Sequence, residues 1–166
     1  RDPDDYRCNN ALGLWYLRRG RFAVAEPYLR RAVGVIMRRN PNPYDGEPIY
    51  NLALCLKCMG RCDEAYELFW KSTWNKAWAD AGYLAAAQLS LMQGRLDDAL
   101  DEAERALDNN RRNHKARALL ATVLRVLGRE ADAVALCDES VALDPFNYGC
   151  LYEKYIITAD GLLLDK

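Results

Sequence analysis

The dipeptide Gly-Arg stands at residues 20–21, 60–61, 94–95 and 128–129, at intervals of 40, 34 and 34 residues. Other columns keep the same step. Five residues after each Gly comes an alanine (Ala25, Ala65, Ala99, Ala133), and seven further on another small residue (Ala32, Ser72, Ala106, Ser140). Seven residues before each Gly stands Gly13, Ala53, Ala87 or Ala121. Four columns in one register define an internal repeat, and a repeat restricts the fold more than any composition does.

Within one period, apolar residues before the Gly recur at helical spacing, as in Leu120, Val123, Leu124 and Leu127. The Gly supplies the positive φ that ends a first helix, and a second helix follows. Small residues let the two helices approach closely. A single hairpin of this kind cannot bury its apolar face, whereas stacked hairpins form a continuous core, so the expected architecture is all-α.

These residues resemble the tetratricopeptide repeat, whose pattern of aromatic, Leu-Gly, Tyr, Ala, Phe and Pro is present in pieces. Leu12-Gly13, Tyr16, Ala25 and Leu29 carry it first; Ile49, Leu52-Ala53, Leu56, Ala65 and Phe69 second. Tyr83, Ala86-Ala87 and Ala99 carry it third, although Ser90 and Ala103 replace larger residues. Leu120-Ala121, Leu124, Ala133 and Pro145 carry it last, with Cys137 in the Phe place. The resemblance covers roughly residues 6 to 158. It implies a right-handed α-solenoid of four hairpins, at about 6–39, 46–78, 80–111 and 114–145, with a capping helix near Tyr148–Thr158, all in one domain spanning 1–166.

The first interval is six residues too long, and the excess falls in Asn40-Pro41-Asn42-Pro43-Tyr44-Asp45-Gly46, where two prolines require a loop. Pro48 fits a first helical turn, and Pro27 lies inside a second helix. A chain of 166 residues buries enough surface to fold without disulfide or metal staples. It holds no run of 18 apolar residues and no signal peptide, and a first residue other than Met suggests a piece of a longer polypeptide.

No catalytic constellation emerges, so the chain is expected not to be an enzyme and to need no cofactor. The one histidine, His114, reads as a solvated residue at a helix start. Asp97, Asp98, Asp101, Glu102 and Glu104 read as the solvated face of a second helix. Cys55, Cys58 and Cys62 bracket a turn as a metal site would, but a structural zinc wants four ligands. Cys55 also shares its column with Trp15, Leu89 and Val123, and Cys62 shares its own with Phe22 and Leu96, so they read as core thiols. Six cysteines at irregular spacing, with Cys8, Cys137 and Cys150, suggest reduced thiols and a cytoplasmic setting. Trp70, Trp74 and Trp78 fall four apart, a stripe along a second helix that is either core or interface.

Residues 1–44 hold 9 basic and 4 acidic residues, against 14 and 20 in the remainder, for a net charge of −1. Arg30, Arg31, Arg38 and Arg39 share one helix without interleaved aromatics, which reads as a solvated face; neither nucleic acid nor membrane is an expected partner. By the resemblance, first helices line a concave groove that takes a peptide or helix. Ten, six and three residues before each Gly, that groove comprises Asn10, Leu14 and Leu17; Tyr50, Leu54 and Lys57; Leu84, Gln88 and Leu91; and Ala118, Thr122 and Arg125, with Tyr152 and Ile156 from the capping helix. The carboxylate clamp of co-chaperones in this family is absent. Of Asn10, Leu14, Asn51, Ala81 and Ala85 only Asn51 agrees, and one repeat later, among Tyr50, Leu54, Ala85, Lys115 and Leu119, only Lys115 does. The run from Asn40 to Asn51 is also similar to repeat regions of large bacterial proteins bearing carbohydrate-processing-like domains. Two roles follow: a protein-binding scaffold using its groove, or an accessory domain packed on another domain of its own polypeptide.

Overall fold

A computed structural model describes residues 2–164; the side chains of residue 39 and of residues 160–164 fall outside that description. Among the described residues the secondary structure is wholly helical: α1 (Tyr6–Leu17), α2 (Phe22–Arg39), α3 (Glu47–Cys58), α4 (Cys62–Ser72), α5 (Lys76–Met92), α6 (Leu96–Asn109), α7 (His114–Val126), α8 (Glu130–Leu143) and α9 (Tyr148–Leu164). It is an all-α helical repeat fold.

The four Gly-Arg sites are four identical turns. Gly20, Gly60, Gly94 and Gly128 have φ of 70°, 78°, 74° and 75°. At each, the Gly amide donates to the carbonyl three residues back and the following Arg amide to the carbonyl five back, as in Arg61 to Leu56 at 2.9 Å. This double bond satisfies the last carbonyls of the first helix and needs a left-handed residue, hence Gly. Arg61, Arg95 and Arg129 then pair with the acid three residues on (Glu64, Asp98, Asp132), in the first turn of the second helix.

The chain divides into two compact bodies, residues 1–85 and 86–166. In the first, α1 packs on α2, α2 on α3, α3 on α4, and α1 also meets α3. Ala25, Leu29, Ala32, Leu52, Ala53, Leu56, Ala65 and Phe69 are essentially inaccessible there. In the second, α6 packs on α7, α7 on α8, and α9 on both α7 and α8. Its core joins Ala87, Ala103, Leu120, Leu124, Ala133 and Ile157. The small-residue column is needed for this closeness: a Cβ at Gly13 would lie 2.5 Å from Leu29 Cγ.

The three tryptophans do not form one stripe, which corrects the sequence expectation. The helix stops at Ser72, because Ser72 and Thr73 hydroxyls each donate 2.7 Å to carbonyls of the previous turn. Asn75 then starts α5, its side-chain oxygen accepting from the Ala77 amide. Trp70 therefore sits on α4, edge-on to Tyr83 at 5.2 Å, and Trp78 on α5, 5.0 Å from the Tyr50 ring. Trp74 projects from the turn, 69% exposed. Pro27 is accommodated inside a continuous α2.

Glu102 is the second correction. It does not share the solvated acidic face but is 1% exposed, accepting a 2.7 Å hydrogen bond from the Ser90 hydroxyl. Its position lies opposite a residue on the first helix in every repeat. Tyr16 stacks on Tyr28 at 5.7 Å in the first repeat, and leucines (Leu56 and Leu68, Leu124 and Leu136) fill both places in the second and fourth. The third repeat substitutes a hydroxyl–carboxylate pair for an apolar one.

Candidate functional site

The first-helix columns named as a groove are distributed between the two bodies. In residues 1–85, Asn10, Leu17 and Leu84 are buried, while Leu14, Tyr50, Leu54 and Lys57 are half-buried. In residues 86–166, Gln88, Leu91, Ala118, Thr122, Arg125 and Ile156 are half-buried, and Tyr152 is exposed.

Two polar brackets tie one first helix to the next. Asn51 Nδ2 donates to Asn10 Oδ1 at 3.0 Å, and Asn10 Nδ2 to Glu47 Oε1 at 3.2 Å, joining α3 to α1. Both asparagines are nearly inaccessible, so each amide is satisfied inside the protein. Glu153 on α9, 8% exposed, accepts 2.9 Å from the Thr122 hydroxyl and 2.7 Å from Arg125 Nε, joining α9 to α7. Arg125 is thus committed to a carboxylate of α9. Burial pushes the Lys57 ammonium down and the Tyr50 phenol up, the latter with help from Asp80. Sequence reasoning missed Glu47 and Glu153. The available signal was the one acid in the stretch Tyr148–Thr158 of α9, one residue after Tyr152.

The remaining chemistry-bearing groups occupy packed or surface positions. Burial pushes the Cys55 thiol up to about 11 and, with Cys150 adjacent, the Cys137 thiol up to about 12, so both are protonated packing groups at neutral pH. Cys55 donates to the Phe22 carbonyl at 3.4 Å. Cys137 and Cys150 pack with Ala121, whereas Cys8 and Cys58 are exposed. His114 Nε2 lies 3.5 Å from Asp144 Oδ2 on the surface. Arg30 and Arg38 are paired with Glu26, Glu64 and Asp4. Among the described residues no three of His, Cys, Asp and Glu converge to hold a metal. No described helix is long and apolar enough to cross a membrane.

Two tetratricopeptide repeat models match the sequence, one over residues 7–36 and the other over residues 84–148, together more than half of its length. The chain belongs to the tetratricopeptide repeat family. Chains of this family are generally scaffolds rather than enzymes. Among solved structures, it is similar to YrrB, described as a TPR protein with an unusual peptide-binding site, at 13% identity and a TM-score of 0.73 over 96% of this chain and 79% of that one. It is similar to MamA at 18% identity and a TM-score of 0.75 over 92% and 86% of the two chains. A Podosopora anserina protein of nearly identical TPR-like repeats matches at 17% identity and 0.73 over 96% and 90%. At these identities the likeness is one of fold.

Proposed function

We propose that this chain is a protein-interaction scaffold that takes a peptide or helix against the first-helix columns within each body. The two polar brackets are the observation behind it. Asn10, Asn51 and Glu47, and likewise Thr122, Arg125 and Glu153, fix the spacing of neighbouring first helices at the groove columns. Within the first body they leave Leu14 and Leu54 half-buried, and within the second Tyr152 63% exposed, as the side chains a partner would cover. Because the polar groups are already paired, recognition rests on apolar and aromatic contact rather than on a charge clamp. Membership of a scaffold family supports the reading, as does the peptide site described for YrrB.

A displayed peptide library panned against the protein tests it, with Leu54→Asp and Tyr152→Ala as comparisons and circular dichroism confirming that both stay helical. Peptides enriched on one body should lose about tenfold in affinity with the change made in that body, the effect of removing an anchor worth ~1.4 kcal/mol. Enrichment of nothing, or of peptides indifferent to both substitutions, overturns it. The accessory role would then remain, with these faces committed to another, carbohydrate-processing-like, domain of the same polypeptide.

A further inference from the structure

Two junctions from a second helix into the helix that follows it share one hydrogen-bond signature. At the α6–α7 junction, Asn110 Oδ1 accepts from the Arg112 amide at 3.1 Å and the Asn110 carbonyl from the Asn113 amide at 2.9 Å. At α8–α9, Asp144 does the same to Phe146 (3.0 Å) and Asn147 (3.1 Å). Asn110 and Asp144 are the C-caps that close α6 and α8. Asp2 makes the same two bonds, its Oδ1 accepting from Asp4 at 2.9 Å and its carbonyl from Asp5 at 3.3 Å. Asp5 then caps α1 as Asn113 caps α7. The sequences agree as well: Asp2-Pro3-Asp4-Asp5-Tyr6-Arg7-Cys8 matches Asp144-Pro145-Phe146-Asn147-Tyr148-Gly149-Cys150 at Asp, Pro, Tyr and Cys. Asp2 thus occupies the place of a C-cap.

The outer face of α1 gives an independent indication. Leu12 and Trp15 are 47% and 46% exposed, and Cys8 is exposed beside them. The residues equivalent to Trp15 in later repeats, Cys55, Leu89 and Val123, are all fully buried. So are the equivalents of Leu12 and Cys8, among them Leu52 and Ala116. Within each body the cover comes from the preceding second helix. Cys55 bonds to Phe22 at the start of α2, a Cβ on Gly82 would meet Ser72 and Phe69 of α4, and Cys150 packs on Cys137 of α8.

We propose that Cys8, Leu12 and Trp15 form the seat of a second helix from a further repeat that precedes this segment in the natural polypeptide. That helix carries small and apolar residues toward α1. The seat lies on the opposite side of α1's sequence columns from those assigned to peptide binding, so the two readings fail separately.

Alkylation of Cys8 by iodoacetamide tests it, read by mass spectrometry in this chain and in the natural polypeptide carrying its preceding residues. Cys58 is the exposed reference and Cys150 the buried one. In the longer chain Cys8 should react at least about tenfold more slowly than in this one, and Leu12→Asp should restore its rate. Equal rates in the two chains, or a natural chain with no helix ahead of Asp2, overturn the proposal. So does protection in this chain that grows with its concentration, since a second copy would then be the occupant.

Discussion

Gly13, Gly34 and Gly82 all lie within helices, where alanine is ordinarily better by about 1 kcal/mol. Their surroundings split them. Gly34 has open space around its Cβ position, so Gly34→Ala should raise the melting temperature. A Cβ on Gly13 meets the immobile Leu29 at 2.5 Å, and one on Gly82 meets the Phe69 carbonyl at 2.9 Å; either alanine should cost about 1–3 kcal/mol by denaturant titration. The column position of Gly13 announced close packing in the sequence; nothing in the sequence announced it for Gly82, whose contact depends on where α4 ends. A second expectation concerns Ser90. Ser90→Ala removes a donor from a carboxylate that is 1% exposed and should cost about 1–3 kcal/mol, whereas Ser90→Leu with Glu102→Leu restores the apolar pair of the second and fourth repeats and should recover stability. A cycle in which the double variant is the least stable would refute that account. Ser90 was legible as an anomaly, but its partner was not, because an acid on an acidic helix looks solvated until its opposite is known.

Elements here are set by their ends. The Gly-Arg turn was readable in its left-handed residue and the second helix that follows, which lie within a few residues of one another; the acid that pairs with the Arg in three of the turns was not read. The tryptophan spacing misled because period four continues across a helix break; the stop comes from Ser72 and Thr73 folding back on their own turn and from Asn75 starting the next. Between elements, α2 and α4 share a surface network in which Glu26 accepts from Arg30 at 2.7 Å and from Arg61 at 2.6 Å. Arg30, with Arg61 beside it, holds the Glu26 carboxyl below the ordinary glutamate range, against the smaller opposing effect of burial. A depressed carboxylate stabilises the fold above its unfolded value of about 4.3 and loses that contribution as pH falls through the folded value. Urea midpoints measured at neutral pH and near pH 3 should therefore fall further for the wild type than for Glu26→Gln. High salt should narrow the difference, the pair being partly exposed.

At the scale of the whole chain, the period alone carried the all-helical repeat fold, because a 34-residue step with a Gly turn has few other solutions. The groove columns were less legible. Periodicity names which residues share a face, but not that Asn10, Leu17 and Leu84 are covered or that Glu153 engages Arg125, since those depend on the spacing between successive hairpins. Stacked repeats contribute stability through nearest neighbours. Ala133→Glu, placing a charge at a fully buried site of the second body, should therefore abolish amide protection in α7 to α9 while α1 to α4 keep theirs in hydrogen exchange. Simultaneous loss everywhere would refute local cooperativity. The repeated junction also bears on inheritance. Asp2, Asn110 and Asp144 close on the same two bonds, so a stretch of gene one period long, copied in frame, rejoins at a connection that already folds. No new linker has to evolve, and lineages of this chain should differ in length by whole hairpins more readily than by single residues.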